Sequence, residues 1–406
     1  MGMRCERLDD DLDPLQLGMA TGMLWSRDGL VIGGVGEAAR INIERPDGAA
    51  EAQSQLAALA GADEIDMPGS GVIALGAFPF DRHAPGQLVV PEVTIVRDPR
   101  RRRWLITSDD RSTAEALAQA REATTSVADR AQPTDWSMQS VVSPESWRDD
   151  VVATMRDRIA AGEFRKVVLA RELRVTTNAP IDMASVLRRL HRTYGTSIVF
   201  AIDGFLGATP ELLVGRLDDV VHAHPLAGTA PRSSDPAEDG RLAAALTSSD
   251  KNRIEHGITI DWLLDNLLPF CSYVDAEPEP SIVSLANVHH LGTRVEGRLS
   301  GPAASVLELV AALHPTPAVG GDPQEAAIEA IDAVEPGDRG RYAGPVGWVD
   351  GAGNGEFAVG IRSGTFSDNQ ASVWAGVGVV ADSDPAAELE ETRNKFQAIL
   401  GALLRP

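Results

Sequence analysis

A few side chains of this sequence are out of keeping with their neighbours. Lys166 sits in FRKVVLAR, at the start of a β-branched run from Phe164 to Val175 that reads as a strand. Such a lysine either lies at a sheet edge with its head in water, or is shielded in a pocket where an amine can serve as a base. Glu211, in ATPELLVG, poses the same question for an acid. A carboxyl among Pro210, Leu212 and Leu213 can be kept protonated by apolar surroundings and act as a general acid. Glu255 lies beside His256 in SSDKNRIEHGITIDWLL, while Glu388, Glu391 and Lys395 fall at i, i+3 and i+7 of a C-terminal helix, on one face. Each of these carboxylates, taken alone, reads first as part of a solvated helix face. Brought together from two helices across a cleft, they would suit Mg2+, which takes oxygen ligands and typically uses one or two carboxylates plus an anionic substrate. Arg362 offers a planar fork for a carboxylate. The stretches PLAGT, with Gly228 and Thr229, and AGVGVV, with Gly376 and Gly378, allow backbone amides to approach a carboxylate closely. Neither is a GxGxxG or a Walker loop, so nucleotide binding has little support.

The elements that must position these groups are legible in outline. Ser143-Pro144-Glu145 reads as a helix start, with Trp147, Val151, Met155 and Ile159 following at four-residue spacing. In the strand that follows, a period of two puts Lys166, Val168 and Ala170 on one face. Two segments read as hairpins turning at Asp203-Gly204 and Asp350-Gly351, and their similarity hints at an internal duplication. Helices are expected over Asp250 to Leu268, with Ile254, Ile258 and Trp262 as its apolar stripe, and over Ala303 to Leu313, Pro323 to Ala333 and Pro385 to Leu404, the last capped by Asp384 or Ser383. The first ~140 residues mix strands (Val72 to Phe80, Leu88 to Val96, Arg103 to Thr107) with helices around Glu51 to Gly61 and Thr113 to Ala123, and Thr124 to Gln139 reads as a connecting loop. The fold class expected is α+β, a large antiparallel sheet system with peripheral helices. Residues 1–140 would form a variable part of the same fold and 141–406 its catalytic region.

Composition narrows the partners. With 37 basic against 59 acidic residues and a net charge of −22, the surface repels polyanions, and no nucleic acid is expected. The basic run Arg97 to Arg103, flanked by strand-like stretches, reads as a solvated turn. Cys5 and Cys271 show no metal or disulfide spacing, and no stretch approaches the ~18 apolar residues of a membrane span. A cytoplasmic location is the expectation.

Laid end to end, FRKVVLAR, GATPELLVG, HPLAGTAPR, KNRIEHGITIDWLLDNL, LHPTPAVGG, EPGDRGRYAGPVGW, GEFAVGIRSGTF and AGVGVVADSDPAAELEETRNK resemble the chorismate-utilising enzymes, in the family's order, over nearly two thirds of the chain. The resemblance implies that Glu255 and Glu391 ligate Mg2+, with Glu388 reaching it through water, and that the metal holds the ring carboxylate of chorismate. It implies that Tyr342, Arg362 and the amides near Gly376 and Gly378 receive substrate carboxylates, with Lys395 adding positive charge. His314 and Thr229, with Gly228 beside it, match positions near the ring. Lys166 matches the base that activates water for attack at ring C2, and Glu211 the acid that protonates the departing C4 hydroxyl.

Within that family, Ala227 stands where aminodeoxychorismate-type enzymes carry a nucleophilic lysine, and Lys166 is absent from the ammonia-using anthranilate type. The sequence therefore looks most like the water-using isochorismate synthases, with salicylate synthases as the alternative and a non-catalytic chorismate-binding module as a further one. A monomer is the family expectation. Two positions depart from the pattern: Asn252 replaces an acidic residue and Gly337 a phenylalanine.

Overall fold

Strand-forming runs dominate the chain and close into large antiparallel layers. The computed structural model describes residues 2–44, 48–125 and 133–404. Among them, thirteen strands join in one sheet, nine in a second and three in a small third sheet. The strands that build the site are β1 (Lys166–Thr177), β2 (Ile198–Ile202), β3 (Phe205–Thr209), β4 (Leu212–Leu217), β5 (Leu226–Pro231), β6 (Val288–Gly292), β7 (Pro345–Asp350), β8 (Gly355–Val359), β9 (Ser363–Ser367) and β10 (Gln370–Val379). The helices that complete it are α1 (Asp250–Leu267), α2 (Gln324–Val334) and α3 (Pro385–Leu404).

The chain passes twice between the two large sheets near the site. It leaves β3 of the larger sheet for β4 of the other through Thr209-Pro210-Glu211, and returns from β8 to β9 through Gly360-Ile361-Arg362. The crossovers are tied into the sheets by backbone bonds: Val359 N–H donates to the Glu211 carbonyl at 3.1 Å and Ala208 N–H to the Arg362 carbonyl at 3.2 Å. Apolar rings fill the space between the layers, with Phe78 stacked on Phe357 at 5.4 Å and Phe200 tilted on Phe205 at 5.3 Å. Strands from the first 140 residues enter both sheets, Leu24–Arg27 beside β2 and Ile73–Ala77 beside β7.

Several elements differ from their sequence reading, each for a physical reason. Leu88 to Val96 is two strands, Gly86–Val90 and Val93–Arg97, in different sheets; Pro91, which has no N–H to give a ladder, sits at the crossing. Part of the expected loop is a strand, Trp136–Ser140, paired with the far half of β1, while residues 126–132 lie outside the described residues. The segment from 144 to 160 is helical and capped by Ser143 as expected, but a π-turn over Trp147–Val152 inserts a residue. Its buried stripe is therefore Trp147, Val152, Met155 and Ile159, with Val152 in the place expected for Val151. In α1 the expected stripe fails, since Ile254 is 66% exposed; the buried face is His256, Thr259, Leu263 and Leu267. One polar contact ties that face to its neighbours, with His256 Nε2 and Thr293 Oγ1 2.7 Å apart.

Other details agree with the reading. Asp203 and Gly204 both have positive φ, as a two-residue hairpin of this twist requires. The second hairpin turns through four residues, 351–354, of which Ala352 and Asn354 donate their amides to the Asp350 carboxylate. The two hairpins lie in different sheets. Asp384 caps α3, accepting from Ala387 N–H at 2.8 Å. The arginine run is a tight turn between two strands, with Arg101 at φ 64°. No helix among the described residues is long and apolar enough to cross a membrane.

Because Phe357 is fully buried between the sheets, Phe357→Ala should lower unfolding stability by about 3–5 kcal/mol. Equilibrium denaturation checks this; an unchanged midpoint would mean the inter-sheet packing is misassigned.

Candidate active site

Glu211 and Arg362, one from each crossover, face a single cavity. Gly228 and Thr229 of β5 line it, with Asn252 and Glu255 of α1, Tyr342 from the loop before β7, Gly376 and Gly378 of β10, and Glu388, Glu391 and Lys395 of α3. Lys166 stands just behind this surface. Its ammonium, buried at 1% exposure, pairs with Glu255 Oε1 at 2.9 Å. Gly378 makes that meeting possible, because a Cβ there would stand 2.4 Å from Glu255 Oε1 and 3.1 Å from Lys166 Cε. On α3 the i, i+4 pair Glu391 and Lys395 closes at 2.6 Å, and Lys395 Nζ also donates to the Gly376 carbonyl at 2.9 Å.

His314 is a correction. The structure does not bring it to this cavity; it lines a separate one with Ala49, Phe78, Leu307 and Val310. It lies next to the Phe80 carbonyl at 2.9 Å, so Nε2 donates there, and burial pushes its imidazole down to about 4. The chain that follows it does reach the cavity, through Ala318 and Val319. Two residues that the sequence reading missed also line the wall, His290 of β6 and Arg339. Nothing in the spacing of NVHHLGTR marks His290, whose role comes from pairing β6 with β5.

The electrostatics follow from burial. The Glu211 carboxyl is pushed up to about 7 by loss of water, against the opposing pull of the Leu226 amide and of the Lys166, Lys395 and Arg362 charges. Burial likewise lifts the Tyr342 phenol to about 12; its ring stacks on Trp374 at 6.0 Å. His290 is held neutral, first by burial and then by the Arg362 and Lys395 charges. Its tautomer is fixed, since Nδ1 donates to the Gly228 carbonyl at 3.0 Å and Nε2 accepts from an Arg362 terminal N–H at 3.0 Å. The other terminal nitrogen of Arg362 is buried with no hydrogen-bond partner. A buried guanidinium with an unused N–H, on backbone at φ 51°, is prepared for an anionic oxygen.

Residues 15–404 match the family described as chorismate binding enzyme. The chain belongs to the chorismate binding enzymes. Isochorismate synthase DhbC of Bacillus subtilis (strain 168) is 37% identical over 342 residues, 82% of this chain and 80% of the relative. Isochorismate synthase EntC of Escherichia coli (strain K12) is 32% identical over 368 residues, 89% and 88% of the two chains. The solved structure of MenF, the menaquinone-specific isochorismate synthase from Escherichia coli, superposes with a TM-score of 0.81 at 25% identity, covering 99% of this chain and 95% of that one.

In this chorismate binding enzyme the donors that could hold a metal are all carboxylates. Glu255, Glu388 and Glu391 face one cavity, and Glu255 and Glu391 each carry a lysine ammonium as counter-charge. Among the described residues no three His, Cys, Asp or Glu groups converge as a ready-made cage. An oxygen-only donor set lining one cavity beside an anion site is of the kind that suits Mg2+, which seldom uses an all-protein cage. The two departures also have places. Asn252 packs against Gly228, where a Cβ would come within 3.1 Å of its own Cβ, and Gly337 holds φ +112°, a conformation that favours glycine.

Gly378→Ala should leave the fold intact and cut turnover roughly a hundredfold, the usual consequence of displacing reacting groups by about an ångström. Steady-state kinetics beside a thermal melt test it; near-normal kcat in a folded variant would remove the close approach at Gly378 from the account.

Proposed function

We propose that the protein is a magnesium-dependent isochorismate synthase, converting chorismate to isochorismate by adding water at ring C2 and losing the C4 hydroxyl. The observation that carries this reading is Glu211, a fully enclosed carboxyl held near neutrality in the same pocket as the unused Arg362 N–H, with the Lys166 ammonium just behind the wall. The relatives named isochorismate synthase, matched over most of their length, support the choice of reaction.

Attack at one ring carbon and departure from another need a base and an acid on a ring held still. Lys166, in its neutral form, takes the proton of the attacking water. Glu211, raised by burial so that a substantial fraction is protonated at neutral pH, gives its proton to the departing hydroxyl. Arg362 receives a substrate carboxylate on its free N–H while His290 fixes the rest of the fork, and the Gly376 and Gly378 backbone with Tyr342 lines the same end of the cavity. Glu255, Glu391 and Glu388 would hold Mg2+, which would supply positive charge to neutralise the ring carboxylate. Ala227 in PLAGT leaves no second lysine as a nucleophile, which suits water as the attacking group.

Incubating the purified protein with chorismate and Mg2+ and resolving the products tests the reaction. Isochorismate alone is expected; salicylate with pyruvate would convert the reading to a salicylate synthase, and no turnover would leave a binding module. Lys166→Ala should reduce turnover by about a thousandfold while chorismate still binds; full activity in that variant would remove Lys166 from the chemistry.

A pH profile tests the acid. Glu211 donates only while protonated and Lys166 accepts only while neutral, so kcat/KM should fall on both sides of an optimum and carry a turning point at about 7 that belongs to Glu211. Glu211→Gln should abolish the activity. A profile with no turning point near 7 would exclude Glu211 as the donor.

A further inference from the structure

β1 carries Lys166 and is bonded to β10 along one edge from Val167 to Thr176. Its other edge is interrupted. Lys166 and Val167 pair there with Gly321–Asp322, and Leu173 onward pairs with Trp136–Ser140. Between these ladders the backbone at Val168 and Ala170 has no neighbouring strand, yet it is buried and must find hydrogen bonds.

Val168 N–H donates to the Gly320 carbonyl at 2.8 Å, and side chains fill the rest of the gap. Arg339 donates to the Val168 carbonyl at 2.7 Å, and the Glu335 carboxylate accepts from Ala170 N–H at 2.7 Å. The Trp147 indole donates to the Ala170 carbonyl at 3.2 Å. Glu335 and Arg339 are themselves joined twice, at 2.7 Å and 2.5 Å. A further Arg339 N–H donates to the Val319 carbonyl at 3.0 Å, and the Phe80 ring lies 4.3 Å beneath the guanidinium. Both members are more than nine-tenths buried.

Arg339 lines the catalytic cavity, as Arg362 does. The two guanidiniums are differently committed. Arg362 keeps one terminal nitrogen unpartnered, whereas every nitrogen of Arg339 already donates to the protein. We infer that the Glu335–Arg339 pair is a positioning device: it stands in for a missing strand beside Val168 and Ala170, ties that strand to the Val319 wall, and so fixes Lys166 without binding substrate. This rests on the reaction proposed above for the meaning of fixing Lys166, but not for the strand-replacing role.

The fork geometry is what the role needs, so a lysine cannot replace it: one ammonium cannot span Val168, Val319 and both Glu335 oxygens. Arg339→Lys, Arg339→Met and Glu335→Gln are compared with wild type for kcat and KM on chorismate and for amide exchange of the 166–172 peptide. The expected result is a fall in kcat of about a hundredfold with KM within about twofold, the same for Arg339→Lys as for Arg339→Met, and faster exchange in that peptide. Should Arg339→Met not fold, Glu335→Gln, which keeps its shape and one acceptor, carries the test. Restored activity in Arg339→Lys would show that only charge matters, and a raised KM with normal kcat would show substrate contact; either overturns the inference. If wild type does not turn over chorismate, the proposed function fails, and the exchange measurement still decides the strand-replacing role. Unaltered exchange at 166–172 in all three variants overturns it.

Discussion

Lys166 is carried out of water at the start of β1, and an ammonium so placed is tolerable only beside a carboxylate. Glu255 supplies it at 2.9 Å, and much of the site follows from that one pairing. For Glu255 to reach, α1 must present its Asn252–Glu255 face inward and leave Ile254 to solvent. For the two side chains to meet, β10 must pass them without a side chain of its own, which Gly378 allows. The Lys166 charge in turn opposes the desolvation of Glu211, helping to hold that carboxyl near neutrality rather than far above it. Balanced charges in a dry cavity are costly to assemble and specific once assembled.

The rest of the architecture places these charges. Two crossovers between the large sheets deliver Glu211 and Arg362 to the same opening, and α3 lays Glu388, Glu391 and Lys395 across it. Neutral His290 consumes one N–H of Arg362 and leaves the other for a ligand. A carboxylate-bearing ring with two separated reacting carbons suits such a cavity, with positive charge to hold its acids and one acid group able to give up a proton.

Much of this was legible in the sequence where a residue's type conflicted with its surroundings. Lys166 within Val-Val-Leu-Ala and Glu211 among Pro and Leu stand out as either solvated at a sheet edge or shielded in a pocket, and the spacing on α3 declares one face. The α+β class and both Asp-Gly hairpins follow from local pattern. Illegible features were those decided by partners far along the chain. Trp136–Ser140 is a strand because β1 accepts it. The stripe of α1 is set by Thr293 and the cavity, not by its isoleucines. His314 was drawn toward the ring by its motif, yet it bonds to Phe80, while His290, with no motif of its own, takes the place beside Arg362.

The account stands on one spatial claim, that Lys166 and Glu211 flank a single ring whose carboxylate lies on Arg362. A crystal structure of the protein with isochorismate and Mg2+ measures it directly. The account predicts the ring between these two side chains, C2 toward Lys166 and C4 toward Glu211, with a carboxylate oxygen on the free Arg362 N–H and the ion on Glu255 and Glu391. A ligand bound elsewhere, or one in this cavity with Lys166 and Glu211 both on the same side of the ring, would contradict it.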